Sequence, residues 1–144
     1  VARRQVDVAL DLIRLAAPDQ RDLAVGLEPG EAVDDVHAPV LDRARPLASG
    51  HALKFVSMEV PYVDYLTMPQ ASLHDVMLAY EMDGRPLRRE HGAPVRLVIP
   101  EMYGYKNVKW LQEILVVPQS TDGYWENLGY DRDAWVGRSN GYSS

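Results

Sequence analysis

The sequence predicts a β-rich α+β fold. Three observations lead there. Short apolar runs such as ALKFVSM at 52–58 and VRLVI at 95–99 have strand length and strand composition. Polar loops rich in Gly, Pro and Asp separate those runs. Every Phe, Tyr and Trp of the 144 residues lies in 51–144, so the aromatic part of a core must lie there too.

The elements follow in order. Val6, Ala9, Leu10, Ile13, Ala16 and Ala17 fall at helical spacing, which predicts an amphipathic helix over 4–17 stopped by Pro18. Residues 19–50 have little periodicity and read as loop, with Pro29-Gly30, Pro39 and Pro46 as breakers. Residues 52–58 read as a strand. Tyr62 to Thr67 alternates and reads as a second strand, followed by a loop or short helical turn around Pro69 and Ser72. Met77 to Met82 is apolar enough for a buried strand, and Asp83-Gly84 is a strong turn signal. Arg85 to Glu90 is polar and exposed. Val95 to Ile99 reads as a strand closed by Pro100. Tyr103 to Lys106 reads as a tight loop, and 108–117 as a turn and then a strand ended by Pro118. Trp110, Leu111, Ile114, Val116 and Val117 read as core, and Tyr80, Tyr103 and Tyr105 as packing residues. The last quarter is rich in loops.

The two parts of the chain differ in composition. Residues 1–50 contain no Phe, Tyr, Trp, Lys, Met, Asn or Thr. Three explanations stand side by side: a polar helical extension, a divergent first part of the same fold, or a wrong-frame translation of a GC-rich gene. The expected division is an N-terminal segment over 1–46, without assigned function, and a functional part over 47–144. The net charge is -6, so a global basic footprint for nucleic acid is missing and no nucleic-acid partner is expected. Cysteine is absent, which excludes disulfides, thiolate nucleophiles and cysteine metal sites from this chain. No apolar run approaches the roughly 18–20 residues of a membrane span.

Residue chemistry points to an anion. His37, His51, His74 and His91 stand at no local metal-binding spacing. Ser72, His74 and Asp75 are too close in sequence to converge as a catalytic triad. Glu59, Asp64 and Glu81 read as scattered, solvated carboxylates. The cations Arg96, Lys106 and Lys109 cluster beside the glycine loops at 92 and 104 in an otherwise acidic chain. Cations beside exposed backbone N–H groups suit a phosphate. Arg96 lies inside an apolar strand, where an unpaired charge is costly, so it needs an anionic partner. Spacing alone leaves that partner open between a carboxylate and a ligand.

From His91 to Pro100 (HGAPVRLVIP) the sequence resembles the molybdenum-cofactor-binding domain of the sulfite oxidase family. The resemblance continues through Tyr103-Gly104-Tyr105-Lys106-Asn107-Val108-Lys109-Trp110-Leu111. Upstream, Leu78 to Leu87 (LAYEMDGRPL) is similar to that family's L-A-Y-E-M-N-G-x-P-L segment. Downstream, Trp125 and Tyr130 match its W-x4-Y stretch. Together these motifs cover about 50–144.

The resemblance implies a mixed, β-rich α+β fold that holds a molybdenum pyranopterin cofactor, here incomplete. It places Glu59, His91, Arg96, Asn107, Val108 and Lys109 at the cofactor. It places Tyr130 near the metal as a hydrogen-bonding and proton-relaying group, and Lys106 at the reacting centre. Lys106 stands where animal sulfite oxidases carry arginine, which leans towards the bacterial branch. The implied activity is oxygen-atom transfer on a small oxyanion or sulfur compound, with a haem or membrane electron-transfer partner. The implied location is periplasmic or membrane-associated. In the family a cysteine thiolate ligates molybdenum; this chain has none, so the metal-ligating Cys is absent and the chain is expected to be inactive alone. A cysteine-less, non-catalytic cofactor-binding module and a fragment without function are the alternative readings.

Overall fold

The structure, a computed structural model, describes residues 51–139 and 141–142, with the backbone of 14–16 and 37–39. Two sheets and a hairpin make up the described part. The first sheet has strand order β1-β9-β3-β4, with β1 Arg14–Ala16, β3 Ala52–Ser57, β4 Val63–Thr67 and β9 Leu111–Val117. The second has order β2-β5-β8, with β2 His37–Pro39, β5 Met77–Ala79 and β8 Arg96–Val98. Strands β6 Glu81–Met82 and β7 Arg85–Pro86 form the hairpin.

Alternation sets which side chains enter the core. In β3, Leu53 and Phe55 are buried opposite Val116 and Ile114 of β9. In β4, Asp64 and Leu66 share the buried face, opposite Phe55 and Leu53. Val76, Leu78, Val95, Leu97, Ile99 and Val108 complete the cluster. The β3–β9 pairing shifts register between Val56 and Ser57, a bulge that ends regular pairing beside the site described below.

Local chemistry fixes the connections. Thr67 caps α1, Met68–Ala71, through a capping box: Gln70 N–H donates to Thr67 Oγ1 at 3.4 Å, and Thr67 N–H donates to Gln70 Oε1 at 2.8 Å. Asp83 and Gly84 have φ of 54° and 70°, the left-handed pair that a two-residue hairpin turn requires.

Several expectations change. Among the described residues α1 is a single four-residue helix, so what is seen is β-rich with little helix. Residues 14–16 of the expected 4–17 helix form a strand instead, parallel to β9. Ladder pairing along β9 outweighs a weak helical periodicity over these residues. The rest of that helix lies outside the described residues. Within the expected loop over 19–50, His37–Pro39 pairs with β5; the remainder of the loop is likewise outside them. The run Met77 to Met82 is not one strand but β5 and β6, separated at the buried Tyr80. The strands expected at 52–58, 62–67, 95–99 and within 108–117 all form, with ends trimmed by one to three residues.

Candidate functional site

A cleft of about 720 Å³ opens where the ends of β3, β8 and β9 meet three turns. One wall is Glu59 to Tyr62, the turn that follows the β3 bulge. A second is Glu90, His91 and Arg96. The third is Gly104, Tyr105, Asn107, Lys109 and Trp110, and Tyr124 and Trp125 close the cleft.

The first wall hangs from the bulge. Ser57 Oγ donates to Lys109 O at 2.9 Å and accepts from Glu59 N–H at 3.0 Å. Tyr62 N–H donates to Glu59 O at 2.8 Å, closing the turn. The Tyr62 hydroxyl crosses to the third wall and donates to Tyr105 O at 2.5 Å. The Tyr105 hydroxyl donates onward to Asp131 O at 2.5 Å. Burial first, then the carboxylates around them, raise the pKa of both phenols well above the usual tyrosine value. Both therefore stay protonated donors.

The second wall depends on glycine. Residues 89–91 form a 3-10 turn that Gly92 ends with φ 101°. A Cβ on Gly92 would lie 2.8 Å from Lys109 Cβ, so only glycine lets these two segments meet. Trp110 then adopts φ 51°, and its indole N–H donates to Arg89 O at 2.7 Å. Lys109 Nζ donates to Glu90 O at 3.1 Å and lies 4.6 Å from the Trp110 ring centroid.

Arg96 is the informative cation. Its Nη1 donates to His91 O at 3.1 Å. No carboxylate among the described residues forms a salt bridge with it. Burial lowers its pKa below the usual arginine value, the mark of a charge without full compensation. The partner that spacing alone left open is therefore not a carboxylate among the described residues, and the guanidinium borders the cleft.

The site residues expected from sequence divide into two groups. Glu59, His91, Arg96, Asn107 and Lys109 come together on the cleft. Asn107 is also a brace: its Oδ1 accepts from Ile99 N–H at 2.6 Å. Val108, Lys106 and Tyr130 do not line the cleft. Val108 is fully buried, and its carbonyl accepts from Leu97 N–H at 2.8 Å. Lys106 is 2% exposed; its ammonium is paired with Asp64 and, at 2.6 Å, with Glu126. Tyr130 stands one ring behind the wall, edge-on to Tyr105 at 5.0 Å and to Trp125 at 5.3 Å. Its neighbour Tyr142 raises its pKa.

Sequence reasoning missed Tyr62, Tyr124, Trp125 and the outward placement of Trp110. It also read Asp64 as solvated, whereas Asp64 is 1% exposed. The signal was present: Asp64 is in phase with Leu66 along an alternating strand.

Comparison with known proteins agrees with the motifs. The family model described as "Oxidoreductase molybdopterin binding domain" matches residues 36–125, beginning ahead of the boundary expected at 47. Sulfite oxidase of Arabidopsis thaliana is 34% identical over 114 residues, covering 73% of this chain and 29% of that protein. Mitochondrial sulfite oxidase of Drosophila melanogaster is 46% identical over 56 residues, covering 39% of this chain and 10% of that protein. The crystal structure of the sulfane dehydrogenase SoxCD from Paracoccus pantotrophus overlaps with a TM-score of 0.48 at 31% identity, over 51% of this chain and 19% of that one. The chain thus spans less than a third of the length of these curated relatives. The family match over 36–125 and the cleft-lining motif residues lead to one conclusion: this chain belongs to the sulfite-oxidase-like family of molybdopterin-binding oxidoreductase domains.

Proposed function

We propose that the chain is the cofactor-binding part of a molybdenum-dependent oxidoreductase acting on a small oxyanion or sulfur compound. One observation carries this reading. Arg96 is half-buried on the cleft, and among the described residues its charge has no carboxylate partner. A desolvated guanidinium facing an open cleft calls for an anion, and its planar fork matches a phosphate.

The residues fit a phosphorylated pterin. The cleft volume of about 720 Å³ is within the range for a ligand of that size. Aromatic rings from Tyr62, Tyr105, Trp110, Tyr124 and Trp125 supply flat apolar surface. In this reading Arg96 binds the phosphate end, with Lys109 as a second positive charge and His91 beside them. Glu59 and Asn107 offer polar contacts at the rim. The bound group supplies redox and oxygen-transfer chemistry that side chains lack. The chain's own residues bind and orient it, and the tyrosine wall limits access of water. Tyr130 supports the cleft wall by packing edge-on against the rings of Tyr105 and Trp125.

The wider assignment follows the family. The chain contributes part of a larger α+β domain, with 47–144 as its functional portion and the thiolate ligand not among these residues. A haem-carrying or membrane electron acceptor, a periplasmic or membrane-associated location and a place in the bacterial branch complete the proposal. Molybdenum and pterin analysis of the full-length protein tests it. Near-stoichiometric pterin is the expected result; a folded full-length protein, made in a cofactor-producing host yet free of pterin, overturns it.

A further inference from the structure

Beneath the cleft lies a cluster that the proposed function does not use. Lys106, Asp64 and Glu126 are 2%, 1% and 8% exposed. Lys106 Nζ donates to Asp64 Oδ1 and to Glu126 Oε1. Asp64 Oδ2 and Glu126 Oε2 are buried without a hydrogen-bond partner among the described residues. Among the described residues, two carboxylates against one ammonium leave one excess negative charge in a space closed to water. Burying a net charge is costly, and one bound proton removes the cost.

Each member belongs to a segment that builds the cleft wall. Asp64 is two residues beyond Tyr62. Lys106 sits between Tyr105 and Asn107. Glu126 follows Tyr124 and Trp125. The segments are drawn together further by the Tyr62–Tyr105 hydrogen bond, by Tyr124 N–H donating to Val63 O at 2.9 Å, and by Gly123. A Cβ on Gly123 would lie 2.7 Å from Glu126 Oε2.

We infer that Asp64, Lys106 and Glu126 act as positioning residues for the anion cleft, and that the proton they hold in common favours the anion-bound state. The inference rests on the reading of the cleft as an anion site. Its logic is electrostatic. With the proton bound, the cluster is neutral; without it, a negative charge lies behind the wall that faces the anion. The pKa of Asp64 points the same way: burial first and Glu126 raise it to about 7, against the lowering by Lys106. The groups that face Asp64 are Lys106 and Glu126, with the hydroxyls of Tyr62 and Tyr105 close enough to feel its charge. For a separation of roughly 10 Å and an effective dielectric of roughly 20–40, Coulomb's law gives a change of about fourfold to fifteenfold in an anion's affinity per unit charge.

Sulfate is a suitable probe, because its own charge is constant near neutrality. Calorimetric titration at pH 6 and pH 8 compares the parent with Asp64→Asn, Glu126→Gln and Lys106→Arg, with folding checked by circular dichroism. The parent binds more tightly at pH 6. Asp64→Asn mimics the protonated state and loses about fourfold to fifteenfold of that pH dependence. Glu126→Gln leaves a neutral Lys106–Asp64 pair and loses the same share of the slope, which keeps the test open if Asp64→Asn does not fold. Lys106→Arg keeps the charge count and the slope. If Asp64→Asn and Glu126→Gln keep the parent's slope, the inference is overturned while the anion site stands. If the folded parent binds no sulfate at either pH, the anion-cleft reading itself is overturned, and the inference with it.

Discussion

Replacing Gly92 by alanine tests how the second and third walls are joined. Gly92 has φ 101°, where an L residue costs about 1–2 kcal/mol. The added Cβ would lie 2.8 Å from Lys109 Cβ, 2.9 Å from its Cγ and 3.1 Å from its Cα. These atoms are near the backbone and cannot swing away, so overpacking adds about 1–3 kcal/mol. The expected loss is about 2–5 kcal/mol. Gly137 supplies an internal control. Its φ is 81°, but an added Cβ meets nothing within 4 Å, so Gly137→Ala isolates the backbone cost of about 1–2 kcal/mol. Gly104→Ala meets nothing within 4 Å and its φ is not positive, so its stability should change by less than about 0.5 kcal/mol. Urea unfolding gives all three as shifts in midpoint at constant slope. If Gly92→Ala costs no more than Gly137→Ala, the close packing of Gly92 on Lys109 does not constrain the cleft.

Further predictions concern the core, the cap and pH. Phe55→Ala removes the largest fully buried side chain among the described residues and should cost about 3–5 kcal/mol in urea unfolding; a loss below about 1 kcal/mol would mean that this core is not packed as described. Thr67→Ala breaks the capping box and should cost about 0.5–2 kcal/mol, with no change in unfolding slope. Asp64 has a folded pKa of about 7, above its unfolded value of 3.8. Its neutral form is favoured in the fold, so its contribution is fully present below pH 3.8 and fades as pH rises to about 7. The unfolding free energy of the parent should therefore decline from pH 5 to pH 7 more steeply than that of Asp64→Asn; equal slopes would count against a proton held at Asp64.

The parts legible in the sequence were those with strong local patterns. Strands β3, β4, β8 and β9 follow alternating or continuous apolar runs, and the Asp83-Gly84 turn follows from its residue types. Strands β1 and β2 were not legible. Each is three residues long and is specified by the strand it pairs with rather than by its own side chains. The cations of the cleft were legible as a cluster, and the motifs carried Glu59, His91 and Asn107 with them. Lys106 was legible as a charge but not as a buried one. Its ion-pair partners are 42 and 20 residues away in sequence, and no local pattern encodes such a meeting. Trp110 looked like core because it begins an apolar run, yet its left-handed backbone sends it to the cleft.

Arg96 is the residue proposed to hold the anionic end of a pterin cofactor. The measurement to make is the pterin content of the full-length protein, purified from a cofactor-producing host, beside that of Arg96→Met with a matched unfolding midpoint. Charge-assisted hydrogen bonds are worth about 1.5–3 kcal/mol each, so losing a two-pronged contact should weaken binding about a hundredfold or more. Near-stoichiometric pterin is expected in the parent and less than about a tenth of it in the variant. Equal pterin in the two proteins would show that Arg96 does not hold the cofactor.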